Sequence, residues 1–243
     1  MIPKIIHQTW KTETLPPWAI KLYNSWDTFN PGYTHYLWTD VDNRNFVKNK
    51  FPSFLDMYDN LPLTIQRVDA VRYLILYEYG GVYVDLDFEC YKPLTPFLES
   101  NKSPIILSRS SNLNVVTNSI MMSAPRQRFW LDVAHSIRGA KPKAWYEPKS
   151  YYVLRSTGPL AVQRVYNKMK DQVNIRVLDK SMFFPFTMFQ KERRHMSPPE
   201  TAHGAHHHRC TWTNEHHTVT NAICFILIII ILFAGRHVVK SSR

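Results

Sequence analysis

Glycine is scarce in this chain, with 7 residues in 243, and no internal period is visible, which excludes glycine-rich repeats and low-complexity architectures. Cysteine is scarcer still. Cys90, Cys210 and Cys224 form no C-x-x-C pair and cannot build a disulfide framework, so a stapled scaffold is excluded and the redox compartment stays open. Acidic charge is also in short supply, with 19 Asp+Glu against 30 Lys+Arg and a net charge of +11. That balance favours anionic partners, namely nucleic acid, anionic membrane surfaces or phosphorylated substrates. The basic residues are scattered and form no tract, which argues against nucleic acid. No signal-peptide pattern opens the sequence as given, since Met1 leads directly into IPKIIHQTW.

What is present is ordinary core-forming material, with 44% hydrophobic, 20% charged and a high 14% aromatic residues. The length fits one domain with appendages, which we place at 1–215. One long apolar run follows, AICFILIIIILFAG over 222–235, preceded by a histidine-rich stretch and followed by Arg236, Lys240 and Arg243. As a helix its 14 residues reach about 21 Å, and extension to 218–235 gives about 27 Å, enough for a thin membrane. The expectation is a transmembrane or tail-anchor helix over 218–235 with a short basic tail over 236–243. This implies a single-pass protein of the endomembrane system (Golgi) with its topology open.

Strand patterns occur at 2–10, 33–38, 104–109, 119–123 and 173–178. Helices are expected after Pro16-Pro17, after the Thr39-Asp40 cap, and over 51–61, 129–137 and 160–168. Strands alternate with helices, so the class is α/β with a mainly parallel sheet, and ligands should lie beyond the strands' carboxyl ends.

The most informative stretch is 67–87, RVDAVRYLILYEYGGVYVDLD. It reads as a helix broken at Gly80-Gly81, then a strand in which Tyr83, Asp85 and Asp87 share one side. The two carboxylates then sit roughly 6–7 Å apart. Bare acids this close repel, and hard oxygen ligands suit Mg²⁺ or Mn²⁺, so the pair reads as a clamp for a metal and a diphosphate. The competing assignment is a solvated Asp-x-Asp turn. Asp69 and Arg72 share a helix face, either as a surface ion pair or as groups that hold ligand oxygens. Arg67 is a looser candidate of the same kind.

Asp69-x-x-Arg72-Tyr73 followed by Tyr79-Gly-Gly-Val-Tyr-Val-Asp-Leu-Asp87 resembles the signature of glycosyltransferase family 32, the DxD-motif sugar-binding-region glycosyltransferases. That family includes initiating α-1,6-mannosyltransferases and inositol-phosphorylceramide mannosyltransferases. Residues 2–10, Leu37-Trp-Thr-Asp40, Ser156-Thr-Gly-Pro159 and Ala205-x-His207-x-x-x-Thr211-Trp212 resemble its flanking elements in order. The resemblance implies a GT-A fold, a nucleotide-sugar donor, Mn²⁺ or Mg²⁺, and retention of anomeric configuration. It implies that Asp87 ligates the metal, that Asp85 contacts metal-bound water and the ribose or donor sugar, and that Asp69 and Arg72 hold the donor sugar. It further implies Trp10 near the nucleobase, His207 as a third metal ligand, and Trp212 on a donor phosphate. Plainer alternatives are a core Trp10 and a solvated tail for His207, since 8 of the 11 histidines fall at or beyond His195. The implied activity is transfer of a sugar, foremost mannose from GDP-mannose, to a membrane-associated acceptor such as an inositol-phosphate sphingolipid or a glycan. A UDP-sugar enzyme with a glycan or protein acceptor, and a catalytically silent, membrane-anchored sugar-nucleotide-binding protein, are the alternatives.

Overall fold

The computed structural model describes residues 1–111, 114–187 and 197–209. In chain order its strands are β1 (Ile5–Thr9), β2 (Thr34–Trp38), β3 (Gly81–Val84), β4 (Phe88–Cys90), β5 (Ile105–Arg109), β6 (Val116–Ser123), β7 (Ile175–Leu178) and β8 (Gly204–His206). Its helices are α1 (Pro17–Phe29), α2 (Asp40–Lys50), α3 (Pro52–Asp59), α4 (Thr64–Tyr79), α5 (Thr95–Glu99), α6 (Arg128–Arg138), α7 (Lys149–Ser156) and α8 (Pro159–Met169).

Local chemistry starts these helices. Proline in the first turn opens α1, α3 and α8, where its missing N–H costs no helical bond. A reciprocal cap opens α2, with the Asp42 N–H donating to Thr39 Oγ1 and the Thr39 N–H donating to Asp42 Oδ2. The long α4 ends at Gly80, whose φ of +67° and the +86° of Gly81 are left-handed values that favour glycine. Space forbids anything larger there. A Cβ on Gly80 would meet Ser123 O and Pro125 N at 2.7 Å, and one on Gly81 would meet Ile5 O at 2.6 Å.

The main sheet has the order β2-β1-β3-β6-β5-β7. It is mainly parallel, as expected, with the single strand β6 reversed. β1 pairs parallel with β2 and β3, and β5 with β7, but β6 runs antiparallel to both β3 and β5. The connection from β5 to β6 is short, and only an antiparallel pair accepts so short a link. Alternation along the strands divides the core. Tyr83, Ile105, Leu107 and Met121 face a layer that includes α4, α6 and α8. Val82, Val84, Ile106, Ile120 and Met122 face Trp26 of α1 and Phe88 of β4.

One consequence positions the site. The carboxyl ends of β1 and β3 and the amino-terminal half of β6 share one edge of the sheet, so Thr9, Asp85 and Asn118 converge there. A small second sheet, β4 with β8, brings 204–206 back to the same edge. Among the described residues no helix is long and apolar enough to cross a membrane. The apolar run at 222–235 and Trp212 lie outside the described residues.

Candidate active site

The strand stops at Val84, and the Phe88 N–H donates to Asp85 O at 3.1 Å, so 85–88 is a turn and not a continuation of β3. The Asp-x-Asp spacing is therefore set by that turn. Its first residue is anchored by the Asp85 N–H to Ser119 O at 2.8 Å and by Gln8 Nε2 to Asp85 O at 3.2 Å.

Arg72 organises the acids around it. Its guanidinium donates to Asp85 Oδ1 at 2.9 Å, lies 3.1 Å from Asp69 Oδ1, and donates to Asn118 O at 2.8 Å. The plane also covers the Tyr83 ring at 4.6 Å, and the Tyr83 hydroxyl donates to Asp85 Oδ1 at 3.1 Å. Asp69, on the same helix, accepts from Asn118 Nδ2 at 2.8 Å and Thr157 Oγ1 at 2.7 Å. Thus Asp69 and Arg72 are not a surface pair. They are a buried pair, tied to Asp85, Asn118 and Thr157, that lines the cleft. Arg67 turns elsewhere, donating to Leu61 O and Thr64 Oγ1.

Asp87 is held from the second sheet. His206 Nε2 lies 3.0 Å from its Oδ1, the Arg209 N–H donates to its Oδ2 at 2.8 Å, and the His207 N–H donates to its carbonyl at 2.8 Å. The side chain of His207 points to Glu89 Oε2, at 3.0 Å, rather than to the Asp pair. The histidine at the acids is therefore His206, its immediate neighbour. Alternation along β8 sends adjacent side chains to opposite sides, and pairing of His206 with Phe88 fixes which side meets the turn.

Electrostatics differ across the pair. Burial pushes the Asp85 carboxyl up to about 6, against the pull of Arg72 and with the added repulsion of Asp87. Burial acts on Asp87 too, but His206 and the Arg209 N–H outweigh it and hold that carboxyl well below the usual range. Asp69 is raised by burial, opposed by Arg72 and its two side-chain donors. A ligand atom from each of Asp85, Asp87 and His206 lies within 4.8 Å of the others. Two carboxylates and one imidazole, already gathered and partly buried, fit a divalent cation of the Mn²⁺ or Mg²⁺ type, and the nitrogen ligand tilts the set toward a transition ion.

These groups sit in a cleft of about 690 Å³. Trp10 lines it, edge-on to Trp18 with centroids 5.8 Å apart, so Trp10 is not a core residue. Trp18, Asp40, Asn118 and Lys149 line the cleft as well and were not singled out for the site from sequence. Asp40 could have been, from the Leu37-Trp-Thr-Asp40 segment. Nothing local marks Asn118, which is brought in by a strand pairing.

A mixed sheet with an Asp-x-Asp turn and a basic anchor at the mouth of a wide cleft defines the class as a GT-A type glycosyltransferase domain. Residues 16–104 match the family described as the glycosyltransferase sugar-binding region containing DXD motif. Over 170 residues the chain is 41% identical to mannosyl phosphorylinositol ceramide synthase CSH1 of Saccharomyces cerevisiae, covering 70% of this chain and 44% of that protein. It is 38% identical over 168 residues to inositol phosphoceramide mannosyltransferase 3 of Schizosaccharomyces pombe, covering 68% and 45% respectively. The chain thus spans about half the length of the curated relatives it matches. Among solved structures the PaToxG glycosyltransferase shares the fold, with a TM-score of 0.53 at 18% identity over 70% of both chains.

Proposed function

We propose that this chain is a retaining glycosyltransferase that moves mannose from GDP-mannose to an inositol-phosphate sphingolipid or similar membrane-associated acceptor. The observation that carries this reading is the Asp85–Asp87–His206 cluster, fixed beside Arg72 in a cleft large enough for a nucleotide sugar. The names of the relatives, a mannosyl phosphorylinositol ceramide synthase and an inositol phosphoceramide mannosyltransferase, support the choice of sugar and acceptor.

Asp85, Asp87 and His206 would hold the divalent cation. When bound, it supplies positive charge that offsets the charge developing on the nucleoside diphosphate leaving group. Arg72 reinforces that field without reorganising, because three acceptors already fix its plane. Trp10 and Trp18 offer aromatic surface in the same cleft for the nucleobase. Asp69 accepts hydrogen bonds at both oxygens and is not a poised nucleophile, while Asp85 carries two donors on Oδ1 and would use its other oxygen to hold the cation. This favours same-face attack by the acceptor hydroxyl, with the departing phosphate oxygen taking its proton.

The test is turnover of a panel of GDP- and UDP-sugars with Mn²⁺, by wild type and Asp87→Ala. GDP-mannose should be the preferred donor, EDTA should abolish turnover, and the variant should fall by about 10²–10³-fold. Turnover indifferent to both treatments would reject the clamp, and a preferred UDP-sugar would reject the donor. Inverted product configuration, or a glycosyl adduct trapped on Asp69 or Asp85, would reject the mechanism.

A further inference from the structure

Trp145 and Tyr146 are 92% and 74% exposed. They sit side by side on the connection between α6 and α7. Other exposed aromatics among the described residues, Phe29 and Tyr36, reach only 36% and 48%, and Tyr36 is stacked on His7. Single exposed apolar residues are ordinary, but an adjacent Trp–Tyr pair left in water is not explained by folding.

The connection that carries the pair is firmly built. Arg155 of α7 reaches back, donating to Lys141 O at 2.9 Å, Pro142 O at 3.0 Å and Glu147 Oε2 at 2.6 Å, with its Nε also on Glu147 Oε1. The Glu147 N–H donates to Ala144 O at 3.1 Å and closes the tip. The two rings stand edge to face, with centroids 5.5 Å apart and planes at 89°. Glu147 is the only acid between 138 and 149, and its charge is buried against Arg155. Lys141, Lys143 and Lys149 are exposed around the rings. The tip therefore presents two amphipathic aromatic rings inside unopposed positive charge.

That chemistry matches the headgroup layer of an anionic bilayer. Trp and Tyr rings settle at the headgroup level, and each lysine near an anionic surface adds to the attraction. The tip also lies beside the site, since Lys149, Val153 and Leu154 line the donor cleft. We propose that the Trp145–Tyr146 tip docks on an anionic lipid surface and holds the mouth of the cleft against it, so that a membrane-embedded acceptor presents its headgroup to the donor. The purpose of such docking rests on the lipid-acceptor reading above; insertion of Trp145 does not.

The full chain and its Trp145→Phe variant should be mixed with phosphatidylcholine–phosphatidylinositol vesicles whose acyl chains are brominated. The emission lost by the substitution reports Trp145 alone, whatever else tethers the chain. It should shift to the blue and be quenched by these vesicles. Lys141→Gln and Lys143→Gln should each weaken partition about five-fold, an effect absent with phosphatidylcholine alone. Donor hydrolysis in solution should be unchanged in Trp145→Phe. Difference emission that ignores brominated lipid overturns the proposal, and so does a protein partner that quenches it when lipid does not. Quenching without any sugar turnover would sustain the docking and reject the enzymatic reading.

Discussion

Arg72 holds two carboxylates of different character, and the difference decides what its replacement should do. Asp69 is buried, while the Asp85 side chain is 27% exposed at the cleft. Arg72→Met would leave Asp69 as a buried charge with only its two neutral donors, which costs about 3–5 kcal/mol. Urea denaturation should register that loss. Arg72→Lys keeps the charge but has no planar fork to span Asp69, Asp85 and Asn118 O together. Its stability loss should be the smaller of the two, while donor turnover falls by about ten-fold or more. Equal stability of Arg72→Met and wild type would remove the pair from the framework. Sequence spacing put Asp69 and Arg72 on one helix face, which the structure shares. Their saturation by Asn118 and Thr157 was not legible, since both partners arrive from elements 49 and 88 residues away.

The break between α4 and β3 carries the geometry of the site at the scale of elements. Both glycines combine positive φ with a backbone atom where a Cβ would go. Gly80→Ala and Gly81→Ala should each cost about 1–3 kcal/mol from conformation alone, with the clash added. Gly32 has nothing within 4 Å of its would-be Cβ, so Gly32→Ala should be close to neutral in the same thermal unfolding series. A loss at Gly32 matching those at Gly80 and Gly81 would contradict this assignment. The Gly-Gly break, the prolines and the Thr39 cap were legible because each acts within a few residues. The direction of β6 was not, and neither was α7, which has no proline or side-chain cap in its first turn to mark it. The choice of His206 over His207 lay equally out of reach. Three histidines in a row offer no internal clue, and the register of β8 on β4 joins segments about 118 residues apart.

His7 ties the whole molecule together, because it joins β1 to β2 and to the end of α4. The Trp38 Nε1–H donates to His7 Nδ1 at 3.2 Å, so the ring proton sits on Nε2, 3.1 Å from Gly80 O. Both nitrogens are thus used by the neutral ring, and a second proton would confront the Trp38 N–H. Tyr36, Trp38 and Tyr79 pack around the ring, and the charged form of His35, itself disfavoured by burial, opposes protonation. Burial, opposed by the bond to Gly80 and aided by His35, lowers the His7 pKa to about 4 from 6.5. The folded state therefore binds fewer protons than the unfolded state between those values. The stabilisation is complete above pH 6.5 and is lost as pH falls toward 4, where the loss reaches about 3 kcal/mol. Unfolding free energies measured by urea across this range should decline with acid in wild type. His7→Gln should start lower at neutral pH, because it fills the space imperfectly, yet lose less on acidification. Parallel pH dependence in the two proteins would show that the acid sensitivity lies elsewhere and that the β1–α4 junction tolerates a charged ring.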